Sequence, residues 1–135
     1  MKNAPNDTAG NKNARPASLT MLRWLLVVAW VPALFFLAPN LSVPAPIVSV
    51  VGFAGLSFIL VNALWQHMPL KSSCITAAVL AGIIGVPWEA VVFIVTGQEA
   101  EVSLWLTNAI GAIVGAVVAY PVMQKIDALT RKVLR

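Results

Sequence analysis

Charge is what this sequence lacks most. Only 10% of its 135 residues are Asp, Glu, Lys or Arg, while 59% are hydrophobic. A soluble domain carries roughly 25% charged residues. This chain has too few to cover a water-facing surface, and its mean hydropathy of +0.85 points to an integral membrane protein. There is one cysteine, Cys74, so no internal disulfide can form, and one histidine, His67. No Cys/His set has metal-ligand spacing, no glycine-rich loop is built to cradle phosphate, and no nucleophile stands beside a base. The expectation is therefore a protein with no metal, no cofactor and no catalytic residues, and not an enzyme. The net charge of +4 is explained by topology rather than by nucleic acid.

What the chain does have is four apolar runs, at about 19–38, 47–65, 72–95 and 103–123. A run of about 20 residues, rising ~1.5 Å each, covers the ~30 Å hydrocarbon core. The predicted fold class is an all-α membrane protein with four transmembrane helices. Residues 1–18 are polar and without apolar periodicity, which predicts a disordered tail. Met21, just inside the first run, offers a second possible start. Basic residues ahead of an apolar run also describe a signal peptide. The length of the run, and Pro39 after Ala38 where cleavage would fall, favour a retained span. Pro32 is expected to kink it. Residues 124–135 form a basic tail whose Ile126, Leu129, Val133 and Leu134 suit a helix lying on the membrane surface.

Orientation follows from the basic residues. Lys2, Lys12, Arg15 and Arg23 lie on the N-terminal side, Lys71 in the second loop, and Lys125, Arg131, Lys132 and Arg135 in the tail. That is all nine; the first and third loops have none, and the third carries Glu99 and Glu101. The positive-inside rule then places both termini in the cytoplasm. Trp24, Trp30, Trp65, Trp88 and Trp105 mostly fall near span ends, as interfacial anchors do. His67 reads as a solvated loop residue, and Asn62 as a satisfied helix contact.

The third and fourth runs form a hairpin about the short loop Thr96 to Glu101. If they are antiparallel, residues whose numbers sum to about 197 share a depth. Glu89 then levels with Asn108, Gly85 with Ala112, and Gly82 with Gly115, while Val86 faces Gly111. The small residues Gly82, Gly85, Gly111 and Gly115 become the expected packing face, since in lipid close packing replaces the hydrophobic drive. A carboxylate at the centre of a membrane helix costs roughly 2.5–3.5 kcal/mol, and less near the interface. Glu89 should therefore face the bundle, hydrogen-bonded or protonated, with Asn108 as its donor. Pro87, two residues earlier, should bend the helix beside it. The pair reads either as an intramembrane polar site or as a clamp between two helices.

At these residues the chain resembles the VanZ-like family of small bacterial membrane proteins. That family's pattern has an acid in one span, a turn, and Asn-x-x-Gly-x-x-x-Gly in the next. Glu89 and Asn108-x-x-Gly111-x-x-x-Gly115 match in type and spacing, 108 − 89 = 19 positions apart, and Ser103 also fits. Val92, Gln98 and Leu104 stand where the family commonly has Gln, Arg and Asp. The resemblance spans about Gly85 to Ala119 and implies a multi-pass protein of the bacterial cytoplasmic (inner) membrane with an envelope-associated role. The family takes its name from a protein conferring resistance to the glycopeptide teicoplanin. The expected function is a non-enzymatic one in the cell envelope or its lipids. The alternatives are an accessory subunit of a larger membrane complex and a small transporter using Glu89. Expected partners are the lipid bilayer, other membrane proteins or a second copy of the chain, and no nucleic acid.

Overall fold

The computed structural model describes residues 17–37, 40–97 and 102–133. Residues 1–16 of the expected N-terminal tail, the Ala38–Pro39 junction, and Glu99 and Glu101 lie outside these residues, while Ala17 and Ser18, expected in the tail, begin the first helix. The described residues form four helices: α1 (Ala17–Leu37), α2 (Ala45–Leu64), α3 (Leu70–Thr96) and α4 (Val102–Val133). All four are long and apolar enough to cross a membrane. The chain is a multi-pass, all-helical membrane protein.

Local chemistry sets most of the helix ends. Pro44 is the N-cap of α2 and Pro46 follows within its first two positions, where the missing N–H would be unpaired in any case. α2 closes with Trp65 N–H donating to Val61 O at 2.9 Å, and Leu64 O accepts from both His67 and Met68. Ser73 Oγ donates to Pro69 O at 3.1 Å at the start of α3. α3 ends at Gly97, whose φ of +68° is the left-handed cap that a side chain would strain. Pro32, Pro87 and Pro121 all sit inside continuous helices.

α4 differs from its sequence expectation. The fourth run was bounded at 123 with a separate tail behind it, yet the helix continues to Val133. Between Gln124 and Val133 no Gly or Pro offers a stop, and Gln, Lys, Ala, Leu and Arg are strong helix formers. Its 32 residues span roughly 48 Å, more than the ~30 Å hydrocarbon core.

α2 is the central helix, packed against α1, α3 and α4. Its closest neighbour is α4, and the contact is made by glycine. A Cβ on Gly111 would stand 2.5 Å from Val50 O, and one on Gly115 would collide with Ala54 O. The offsets are equal, 111 − 50 = 61 and 115 − 54 = 61, so α2 and α4 run parallel with their backbones nearly touching. The glycine Cα–H groups face those carbonyls, a contact worth ~0.5–1 kcal/mol each. Alanines continue the close approach: Ala77 and Ala81 on α3 and Ala112, Ala116 and Ala119 on α4 are all buried.

α1 is seated on α2 by a second glycine pair. The Trp30 ring fills the notch at Gly55, 2.5 Å from where a Cβ would be, and Leu34 fills the notch at Gly52. Trp30 Nε1 also donates to Gly52 O at 3.1 Å. Near the start of α1, Arg23 Nη1 donates to Asn62 O at 3.2 Å, and Thr20 Oγ1 to Gln66 Oε1 at 2.6 Å. Asn62 O is among the last carbonyls of α2, so Arg23 places a cation where the helix dipole favours one. Toward α3 the fit is looser. Phe35 meets Trp88 edge-on at 4.9 Å, and beside it a cleft of about 630 Å³ opens between Val31, Phe35 and Phe36 on α1 and Val91 and Val95 on α3.

A buried acid–amide pair as candidate functional site

Glu89 lies on α3 seven residues before Thr96, ~10 Å from that end of the helix. It is 8% exposed, and Asn108 on α4 is fully buried. Asn108 Nδ2 donates to Glu89 Oε1 at 2.7 Å, a hydrogen bond between two helices in an apolar surround. The structure thus brings together the two polar residues singled out from the sequence. Gly85 makes the approach possible: a Cβ there would stand 3.2 Å from Asn108 Cβ. Asn108 sits across from Gly85 and Glu89 on successive turns of α3.

Charge and hydrogen bonding are unbalanced at this site. Among the residues whose side chains are described, the cationic ones are Arg23 near the start of α1, Lys71 at the start of α3, and Lys125 and Lys132 in the last turns of α4. All belong to the end of the bundle that holds Ala17 and the α2–α3 turn, opposite to Glu89. Asn108 Oδ1 is buried and accepts no hydrogen bond from the described residues. No group of three His, Cys, Asp or Glu among the described residues is arranged to hold a metal ion.

The glycines divide differently from the sequence register. Gly85 receives Asn108 rather than Ala112. Gly111 and Gly115 face Val50 and Ala54 of α2, not Val86 and Gly82 of α3. Val86 is 58% exposed, and a Cβ on Gly82 would meet nothing within 4 Å. The hairpin register treated α3 and α4 as a pair, whereas α4 uses one face for α3 and the adjoining face for α2. Two tryptophans also depart from interfacial anchoring. Trp30 packs and hydrogen-bonds on α2, and Trp88 is buried against Phe35 and Phe53. Gly52 and Gly55 went unread as packing positions. Their signal was present as Gly-x-x-Gly in the second run, but without a partner helix it carried no direction. His67 stands exposed, its ring 6.4 Å from that of Trp24.

This geometry predicts a crosslinking order in a Cys74→Ser background. Disulfides need Cβ atoms ~3.5–4.5 Å apart. Gly85→Cys with Asn108→Cys is expected to close within one chain faster than Glu89→Cys with Asn108→Cys, because the Glu89 contact is made by the far end of a longer side chain. Reversal of that order, followed by non-reducing gel shift, would show the α3–α4 register to be wrong. Comparisons with protein-family models, with curated proteins and with solved structures find no match to this chain.

Proposed function

We propose that this chain is a VanZ-like protein of the bacterial cytoplasmic membrane, with both termini in the cytoplasm. It acts without catalysis of its own, on or within the cell envelope, through Glu89 and Asn108. The observation that carries the reading is the buried Asn108–Glu89 hydrogen bond, an acid held inside an apolar bundle with no cation among the described residues beside it. Ionisable groups inside membrane bundles are expensive and tend to mark working sites. The Asn108-x-x-Gly111-x-x-x-Gly115 pattern adds to it, since its asparagine serves the acid and its glycines seat the helix that carries it. Glu89→Gln keeps the side-chain length and a hydrogen-bonding oxygen while removing the charge. In cells it is expected to accumulate in the membrane at wild-type level yet share the envelope phenotype of the deletion, read as teicoplanin susceptibility and lipid composition. A Glu89→Gln strain matching wild type in both readouts would end the reading.

A second reading is an accessory subunit. It is favoured by α1, of whose span only 11% is buried, leaving Leu22, Leu25, Val28 and Phe36 as an exposed apolar face. Isolation in mild detergent of this chain alone, with no second subunit at fixed ratio, would count against it.

A further inference from the structure

We propose that the Glu89–Asn108 pair is the seat of a protonated amine, supplied by the ammonium head of an aminophospholipid or by a free amine. The proposal rests on the reading of this pair as the working site and names what the site takes. Glu89 has no cationic partner among the described residues, and the described Lys and Arg side chains lie at the other end of the bundle. Asn108 donates from Nδ2 to Glu89, while its Oδ1 is a buried acceptor with no donor among the described residues. Burying such an acceptor unpaired is costly, and the bilayer core offers no water to relieve it.

With Glu89 ionised, the site therefore lacks one positive charge and at least one hydrogen-bond donor, in the same place. A primary ammonium supplies both: one charge and three N–H donors, enough for Glu89 and for Asn108 Oδ1 together. An alkali or divalent cation answers the charge but expects several more oxygens than these two side chains hold. Access is from the side of Glu89, which keeps 8% of its surface exposed while Asn108 keeps none. The ~10 Å from Glu89 to the end of α3 brings the site within reach of the headgroup layer at that face.

The test uses the full chain in nanodiscs made of phosphatidylglycerol alone or of phosphatidylglycerol with phosphatidylethanolamine. Thermal melting is followed by the loss of helical circular dichroism while methylammonium chloride is added. Tetramethylammonium chloride is the control, having the same charge but no N–H. Methylammonium is expected to raise the melting temperature by several degrees and to saturate, as binding to the folded state requires, with no rise from tetramethylammonium. Glu89→Gln should lose the response. A response confined to discs without phosphatidylethanolamine assigns the seat to the lipid head; an equal response in both assigns it to a free amine.

Equal melting with the two salts overturns the proposal, as does a Glu89→Gln protein that responds like wild type. Should that variant misfold, the wild-type infrared difference spectrum on adding methylammonium decides. A change in the carboxylate stretch supports the seat, and none overturns it. A bundle stabilised by lowering pH alone and indifferent to amine would mean that Glu89 takes only a proton, which also overturns it. An envelope phenotype at Glu89 with an amine-blind protein would keep the functional reading and sink the ligand. Amine binding without a phenotype would do the reverse.

Discussion

Gly115→Leu is expected to keep the protein from assembling its α2–α4 interface. Any Cβ at this position collides with Ala54 O, and the obstacle is backbone rather than the movable end of a side chain. The helices must separate to admit it, and the neighbouring contact of Gly111 with Val50 O is lost with them. Overpacking a core typically costs ~1–3 kcal/mol, and here the strain acts where two helix backbones meet. The opposing effect is smaller, since replacing an interior helical glycine gains only ~0.5–1 kcal/mol in helix preference. Even Gly115→Ala should therefore destabilise. Gly82→Ala is the matched control: its Cβ enters open space, so the helix preference acts alone and the variant should melt at or slightly above wild type. Thermal melting and monodispersity in detergent measure all three. A Gly115→Ala protein as stable as Gly82→Ala would show that the two backbones do not touch.

Asn108→Ala is the second large effect expected. The change removes the donor to Glu89 and leaves a carboxylate facing an apolar gap. Hydrogen bonds between membrane helices average ~0.6 kcal/mol and reach ~1.7 kcal/mol by double-mutant cycles. The cost of an orphaned buried group is larger, ~1–3 kcal/mol and more when it is charged. The single Asn108→Ala change should thus cost more than the bond it removes. Glu89→Ala on top of it removes the stranded acid and should restore part of the loss, although both side chains are then gone. The cycle of Glu89→Ala, Asn108→Ala and the double variant, read by denaturant unfolding, is expected to return a favourable coupling within the cited range. Strict additivity would mean that the two groups do not depend on one another.

The four helices were open to reading because each depends on a local property, the length of an apolar run between breaks. The Glu89–Asn108 contact was open for a related reason: a short turn fixes an antiparallel register, and a polar group in lipid needs a partner at its own depth. What the sequence withheld was rotation about the helix axes. Register says that Gly111 lies at a certain depth, but not whether it points at α3 or α2. That choice is made by how three helices share a core, and α2 wins the glycine face because Val50 and Ala54 can bring their backbone up to it. Trp30 and Trp88 were misplaced for the same reason. Tryptophan's preference for the interface is a statistical tendency of exposed rings, whereas these two rings have notches and aromatic neighbours to occupy. The tail's basic and apolar residues suit a separate surface helix, but a change in composition does not divide a helix, and no residue past Met123 breaks α4.

The parallel contact of α2 with α4 has a consequence for the order of assembly. Parallel neighbours cannot be joined by a tight turn, so Val50 and Ala54 wait for partners 61 positions further along the chain. During synthesis α1 and α2 can pair as soon as both are in the membrane, through Trp30 and Arg23, and α3 can return against them. The face of α2 at Val50 and Ala54 has no Gly111 or Gly115 to meet until α4 is made. α4 closes it last, and with the same docking step it delivers Asn108 to Glu89. Completion of the fold and completion of the polar site are therefore one event, and a bundle arrested before it would carry an unmated acid in the bilayer.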